Sequence, residues 1–194
     1  MIDLSMFDAF PILQTERLVL RDIRETDISD VFQLFSNPEV TRFHGTSTFM
    51  EEKQAAEFVN FVQSRYREKT GIRWAITLRD TGAFIGTVGM NSIIQHRTVI
   101  GYDLSEAHWG RGYMPEAVQA MLEYAFSVGL YRVQAMVIPG NQASVRVLEK
   151  LGFREEGLLR SWYHWEGRYW DMLSFSLLKP EFRPESRRFS GVQH

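Results

Sequence analysis

Six consecutive residues, Trp109-Gly110-Arg111-Gly112-Tyr113-Met114, stand between a β-like run and an amphipathic stretch, and the chemistry they offer is the grip of a phosphate. Two glycines let a backbone pass close to a bulky anion. The amides of Gly110, Arg111, Gly112, Tyr113 and Met114 fall where a helix start leaves its hydrogens unpaired and its dipole positive. Pro115 in the first turn costs nothing, because its missing hydrogen would have had no partner there. Read alone, the loop is equally a tight strand-to-helix turn that holds nothing. It is not a P-loop, which needs Gly-Lys-Ser or Gly-Lys-Thr at the helix start. Nor is it a dinucleotide fingerprint, because Pro115 stands where a third glycine belongs.

A second segment, Asn141 to Phe153, reads Asn-Gln-Ala-Ser-Val-Arg-Val-Leu-Glu-Lys-Leu-Gly-Phe. Asn141 suits a helix N-cap, Val145, Leu148 and Leu151 recur on one face, and Gly152 ends the helix. Ser144 lies one turn in, where a hydroxyl either bonds locally to backbone or is free for chemistry. Tyr102 alternates with Leu104 at the end of a β-branched run and could face an acceptor.

The elements that must position these residues follow from periodicity. A strand is expected at 17–23, a helix at 25–35, and an amphipathic helix at 51–69 with Ala55, Phe58, Val59 and Val62 inward. Antiparallel-type strands follow near 74–78, 83–94 and 99–104. The Gly-loop helix then runs to Gly129, a β-branched run covers 133–138, and the Asn141 helix comes next. Strands near 153–162 and 169–177 flank Glu166-Gly167, a hairpin signal. The class is α+β.

The chain has 194 residues, no cysteine and a net charge of −2. That length suits a single domain, expected over 1–182, with 183–194 as a mobile tail. Without cysteine there is no disulfide, no thiolate metal site and no covalent intermediate on a protein thiol. The charge disfavours nucleic acid, and Arg65, Arg67 and Lys69 read as a solvated helix face. The five histidines show no close ligand spacing, so no metal is expected. No apolar run approaches the length of a bilayer span and no signal peptide is evident, giving a cytoplasmic expectation with no membrane partner.

The pairing of Trp-Gly-Arg-Gly-Tyr-Met-Pro-Glu-Ala at 109–117 with Asn-x-x-Ser-x-x-x-Leu-Glu-Lys-Leu-Gly-Phe at 141–153 resembles the GCN5-related N-acetyltransferase (GNAT) superfamily. The opening Thr15-Glu16-Arg17-Leu18-Val19-Leu20-Arg21 narrows the resemblance to the RimJ/RimL-like branch that acetylates N-termini of ribosomal proteins. It implies a mixed, mostly antiparallel sheet flanked by helices and splayed where strand 99–104 parts from strand 133–138. It implies acetyl-CoA as co-substrate: the pyrophosphate on the Trp109–Met114 loop and the pantetheine arm along the strand edge ending at Leu104, with Asn141 helping to position it. Ser144 would supply a proton, or a hydrogen bond, to the leaving thiolate. The loop departs from the family at Trp109 and Met114, but a cradle built from backbone tolerates both.

Some members of the family carry a basic glutamate on the strand after Gly-Phe, where this chain has Tyr163. The neighbouring candidates are Asp103, Glu106, His164, Glu166 and Asp171. An α-amine is deprotonated more cheaply than a lysine amine by roughly 3.5 kcal/mol at neutral pH, so a site without a strong base suits an N-terminus. Positioning alone can supply ~7–11 kcal/mol. The acceptor expected is therefore a protein or peptide N-terminus. The alternatives are a small amine (polyamine, amino acid or antibiotic) and a non-catalytic acyl-CoA sensor. The aromatics Trp162, Tyr163, His164, Trp165, Tyr169 and Trp170 are expected to alternate between an inward set and an outward set lining the acceptor mouth. A homodimer is left open.

Overall fold

Residues 3–45 and 47–184 are described by the computed structural model; the expected tail lies outside them from residue 185 onward. Eight strands form one sheet in the order β1 (Leu13–Gln14), β2 (Leu18–Asp22), β3 (Ile72–Leu78), β4 (Phe84–Ile94), β5 (Arg97–Leu104), β6 (Arg132–Val137), β8 (Arg168–Leu178), β7 (Arg154–Trp165). All neighbours are antiparallel except β5 and β6. A parallel pair needs a crossover, and helix α4 (Tyr113–Ser127) provides it.

The sheet is covered on both faces, and so its central strands are apolar on both sides. Trp74, Val88, Met90 and Ile100 face α4 and α5 (Gln142–Lys150), packing on Val118, Met121 and Leu148. Ala75 and Ile23 face α1 (Ile28–Phe35) and α3 (Glu52–Arg67), against Val31, Phe35, Ala55 and Val59. Trp74 is completely buried, and its indole donates to the Pro11 carbonyl at 2.7 Å, which settles the one polar atom that burial would otherwise strand.

The expected strands and long helices are all present, with ends shifted by one to three residues. The 25–35 helix begins as a 3-10 turn, Glu25–Asp27, and α3 stops at Arg67, because Lys69 takes a positive φ of 58°. Five short pieces among the described residues had no readable periodicity: β1, helix α2 (Pro38–Thr41) and the 3-10 turns Leu4–Phe7, Glu106–His108 and Lys179–Glu181. The hairpin closes through Glu166 and Gly167, both at positive φ (49° and 73°), as a two-residue turn with this handedness requires.

Strands β5 and β6 pair from Arg97↔Arg132 to Ile100↔Ala135 and no further. Past that row Gly101–Leu104 and Met136–Val137 part, so the sheet splits where the resemblance implied. No helix among the described residues is long and apolar enough to cross a membrane.

Candidate active site

The loop before α4 turns through left-handed backbone at Gly110 (φ 73°) and Gly112 (φ 79°), the latter being the helix N-cap. Among the described residues, none of the N–H groups of Gly110, Arg111, Gly112, Tyr113 and Met114 donates to a protein acceptor. Five consecutive unpaired donors at a helix start have the geometry that an anion site requires. The Trp109 amide is not part of it, since it donates to the Glu106 carbonyl at 3.1 Å.

The loop is braced from the start of β2. Arg17 donates to the Arg111 carbonyl at 2.9 Å, pairs with Glu116 at 2.6 Å and lies over the Tyr113 ring at 4.5 Å. Thr15 donates to the same carboxylate at 2.6 Å. Burial would raise the Glu116 carboxyl, but the Thr15 hydroxyl and the Arg17 backbone and guanidinium hold it below the ordinary carboxylate range. Partial burial and the neighbouring Arg111 push His108 down, keeping a neutral imidazole beside the loop.

The split opens onto this loop. Ser105 donates to the Ile85 carbonyl at 2.8 Å, which makes Leu104↔Gly86 and Val88↔Tyr102 the non-bonded pairs of the β4–β5 ladder. The backbone polar groups of Tyr102 and Leu104 therefore point away from β4, into the gap. The strands lie close here, since a Cβ on Gly86 would sit 2.2 Å from the Asp103 carbonyl oxygen. Part of the edge ending at Leu104 is already used: the Leu104 carbonyl accepts the Trp109 indole N–H at 2.8 Å. What faces the gap is the Leu104 N–H and both Tyr102 backbone groups.

Ser144 and Tyr102 meet at the gap, with hydroxyl oxygens 2.7 Å apart. The local bonding open to a serine at this position is not what its hydroxyl does. Asn141 does cap α5, its side-chain oxygen accepting the Ser144 amide at 3.2 Å. Burial, moderated by the Ser144 bond and reinforced by Asp103, pushes the Tyr102 phenol up to about 12, so it stays protonated and can donate. Tyr102 is thus tied to Ser144, where the sequence had suggested a contact with the acceptor.

On the opposite face, Asp103 is buried beneath α1 and α3. Its carboxylate meets Arg73 at 2.5 Å, His44 at 3.1 Å and the Thr87 hydroxyl at 3.2 Å, and Arg73 also donates to Asn91 at 2.8 Å. Burial alone would raise the Asp103 carboxyl; facing His44, Arg73 and Thr87, it is held below the ordinary range. Sequence reading missed His44, because a lone histidine after a short unpredicted helix carries no spacing signal.

The other acidic candidates hold structure together. Glu106 accepts from Asn37 at 2.8 Å, Asp171 caps the Ser161 amide at 2.7 Å, and Glu166 sits in the hairpin turn. His164 packs against Tyr169. Tyr163, at the position of the absent glutamate, donates to the Gly45 carbonyl at 3.1 Å. The aromatic alternation holds past a bulge at Ser161 (φ 51°), which shifts the register between Leu159 and Tyr163: Tyr163 lies opposite Trp170 and His164 opposite Tyr169, which puts Tyr163, Trp165 and Trp170 on one face and His164 and Tyr169, both exposed, on the other. Trp165 and Trp170 remain half-buried against each other at 5.4 Å.

Comparison with known proteins bears on this site. The family model described as Acetyltransferase (GNAT) domain matches residues 17–154. The uncharacterized N-acetyltransferase YoaA of Bacillus subtilis is 41% identical over 174 residues, 88% of this chain and 98% of the relative. The ribosomal protein uS5-alanine N-acetyltransferase of Escherichia coli is 22% identical over 182 residues, 89% of this chain and 93% of the relative. Among solved structures, the acetyltransferase (GNAT family) from Bacillus anthracis superposes with a TM-score of 0.80 at 26% identity, covering 88% of this chain and 100% of that one.

Proposed function

The chain belongs to the GNAT family of acetyltransferases, and from that premise we propose that it moves an acetyl group from acetyl-CoA directly to the N-terminal α-amine of a protein, such as a ribosomal protein. The observation that carries the reading is the continuity of the site. Five unpaired amides at the start of α4 lie at the mouth of a split sheet, and two hydroxyls meet inside the split. Gly110, Arg111, Gly112, Tyr113 and Met114 hold the pyrophosphate through backbone, with Trp109 fixing the loop against Leu104. The Tyr102 and Leu104 edge pairs with the amides of the pantetheine arm, with Asn141 at the start of α5 beside it. Ser144, backed by Tyr102, supplies the proton that the thiolate takes as the C–S bond breaks.

An α-amine acceptor accords with a site whose expected basic glutamate is a tyrosine, and with the name of the uS5 relative. On this reading the protein works in the cytoplasm. The test is thiol release from acetyl-CoA with short peptides, N-terminally blocked peptides and small amines. Release requiring a free peptide N-terminus supports the reading. Turnover only on small amines moves the acceptor to that class, and binding without release makes the protein a sensor.

A further inference from the structure

Asp103 and Tyr102 are adjacent on β5, so their side chains project to opposite faces of the sheet at the mouth of the split. Tyr102 meets Ser144 on the α5 side, while Asp103 meets His44 on the α1–α3 side. We infer that His44 is the general base that takes the proton from the acceptor amine, oriented by Asp103; this rests on the acetyltransfer reading above.

The geometry assigns the tautomer. His44 Nε2 lies 3.1 Å from Asp103 Oδ1, and a carboxylate pinned by Arg73 and Thr87 can only accept, so neutral His44 carries its hydrogen on Nε2. Nδ1 is then the basic nitrogen. It is buried, with no hydrogen-bond partner among the described residues. Because a buried polar atom without a partner is costly, an orphaned lone pair beside a reaction site marks a place for a proton donor. The segment that carries His44 is fixed from two sides. Phe35 of α1 packs on the ring at 4.9 Å, and Tyr163 of β7 donates to the carbonyl of the next residue, Gly45. The charged groups facing the ring are Asp103 from β5 and, behind it, Arg73 from β3, which lies over Phe58 of α3.

The protons balance. The acceptor arrives as an ammonium and gives one proton to His44 Nδ1, from which it passes to solvent. The freed nitrogen forms the C–N bond as the C–S bond breaks, and the Ser144–Tyr102 pair protonates the thiolate. The second proton that the nitrogen sheds restores that pair. Acid and base then act from opposite faces of one strand.

Two measurements test the assignment. In the wild-type protein, nitrogen NMR should show neutral His44 as the Nε2–H tautomer; an Nδ1–H tautomer overturns it. In His44→Gln, kcat at pH 7 should fall by about 10²–10⁴-fold, the range for a lost general base, with acetyl-CoA affinity by calorimetry unchanged. The deficit should shrink as pH rises and the amine deprotonates unaided. A deficit independent of pH, or none, overturns the assignment. Wild-type turnover without these His44 signatures sinks the base alone, whereas no turnover on any amine sinks the acetyltransfer reading and the base with it.

Discussion

Arg17 and Glu116, ninety-nine residues apart, are joined by three contacts: the Arg17 amide on Oε1 at 3.0 Å, Nε on Oε2 at 2.7 Å and the guanidinium at 2.6 Å. The same guanidinium also holds the Arg111 carbonyl, so the start of β2 sets the shape of the glycine loop before α4. Arg17→Ala should raise the KM for acetyl-CoA by about threefold to thirtyfold, ~0.7–2 kcal/mol, the lower part reflecting the exposure of Arg17. Initial rates at varied acetyl-CoA check it, and kcat should hold.

The same carboxylate predicts an acid response. Glu116 titrates lower in the folded protein than in the unfolded chain, so its contribution is complete above the unfolded value, about 4.3, and is lost as pH falls through the folded one. Melting temperatures between pH 7 and pH 3 should fall less steeply for Glu116→Gln than for the wild type. Parallel curves would remove Glu116 from the acid response.

Ser144 and Tyr102 share one hydrogen bond, and on the proposed mechanism they act as one proton donor, so their variants should not add. Ser144→Ala should lower kcat by roughly 10²-fold or more with little change in the KM for acetyl-CoA. Tyr102→Phe on that background should cost much less than it does alone. Full additivity would show two independent functions.

The β7–β8 hairpin leans on the segment after α2 through Tyr163 and Gly45. Trp165, half-buried against Trp170 in that hairpin, should matter to the acceptor. Trp165→Ala should raise the acceptor KM severalfold while leaving acetyl-CoA binding unchanged. Loss of acetyl-CoA binding would instead tie the hairpin to the donor side.

The glycine loop before α4 and the Asn141 helix were legible because each is a local pattern: glycines before a helix, a cap, an apolar stripe. The Glu166-Gly167 turn was legible for the same reason. The brace on the loop was not, since Thr15, Arg17 and Glu116 meet only when β2 lies beside α4, and as sequence they were merely part of a resemblance. His44 was silent because its meaning lies entirely in Asp103, Arg73 and Thr87, which come from three strands. The hairpin aromatics alternate as a period of two predicts, but the pattern does not foretell the bulge at Ser161, whose positive φ shifts the register between Leu159 and Tyr163.

The split between β5 and β6 is also a mechanical seam. Among the described residues, the pairing of Arg97–Ile100 with Arg132–Ala135 is the one backbone ladder that ties the sheet of the first half of the chain to that of the second. A molecule lying in the gap with its phosphates on the α4 loop would bridge the two halves and act as a stitch. Thermal resistance and slow amide exchange at Gly101–Leu104 and Met136–Val137 should therefore rise together with donor concentration, making the co-substrate a structural member of the fold as well as a reactant.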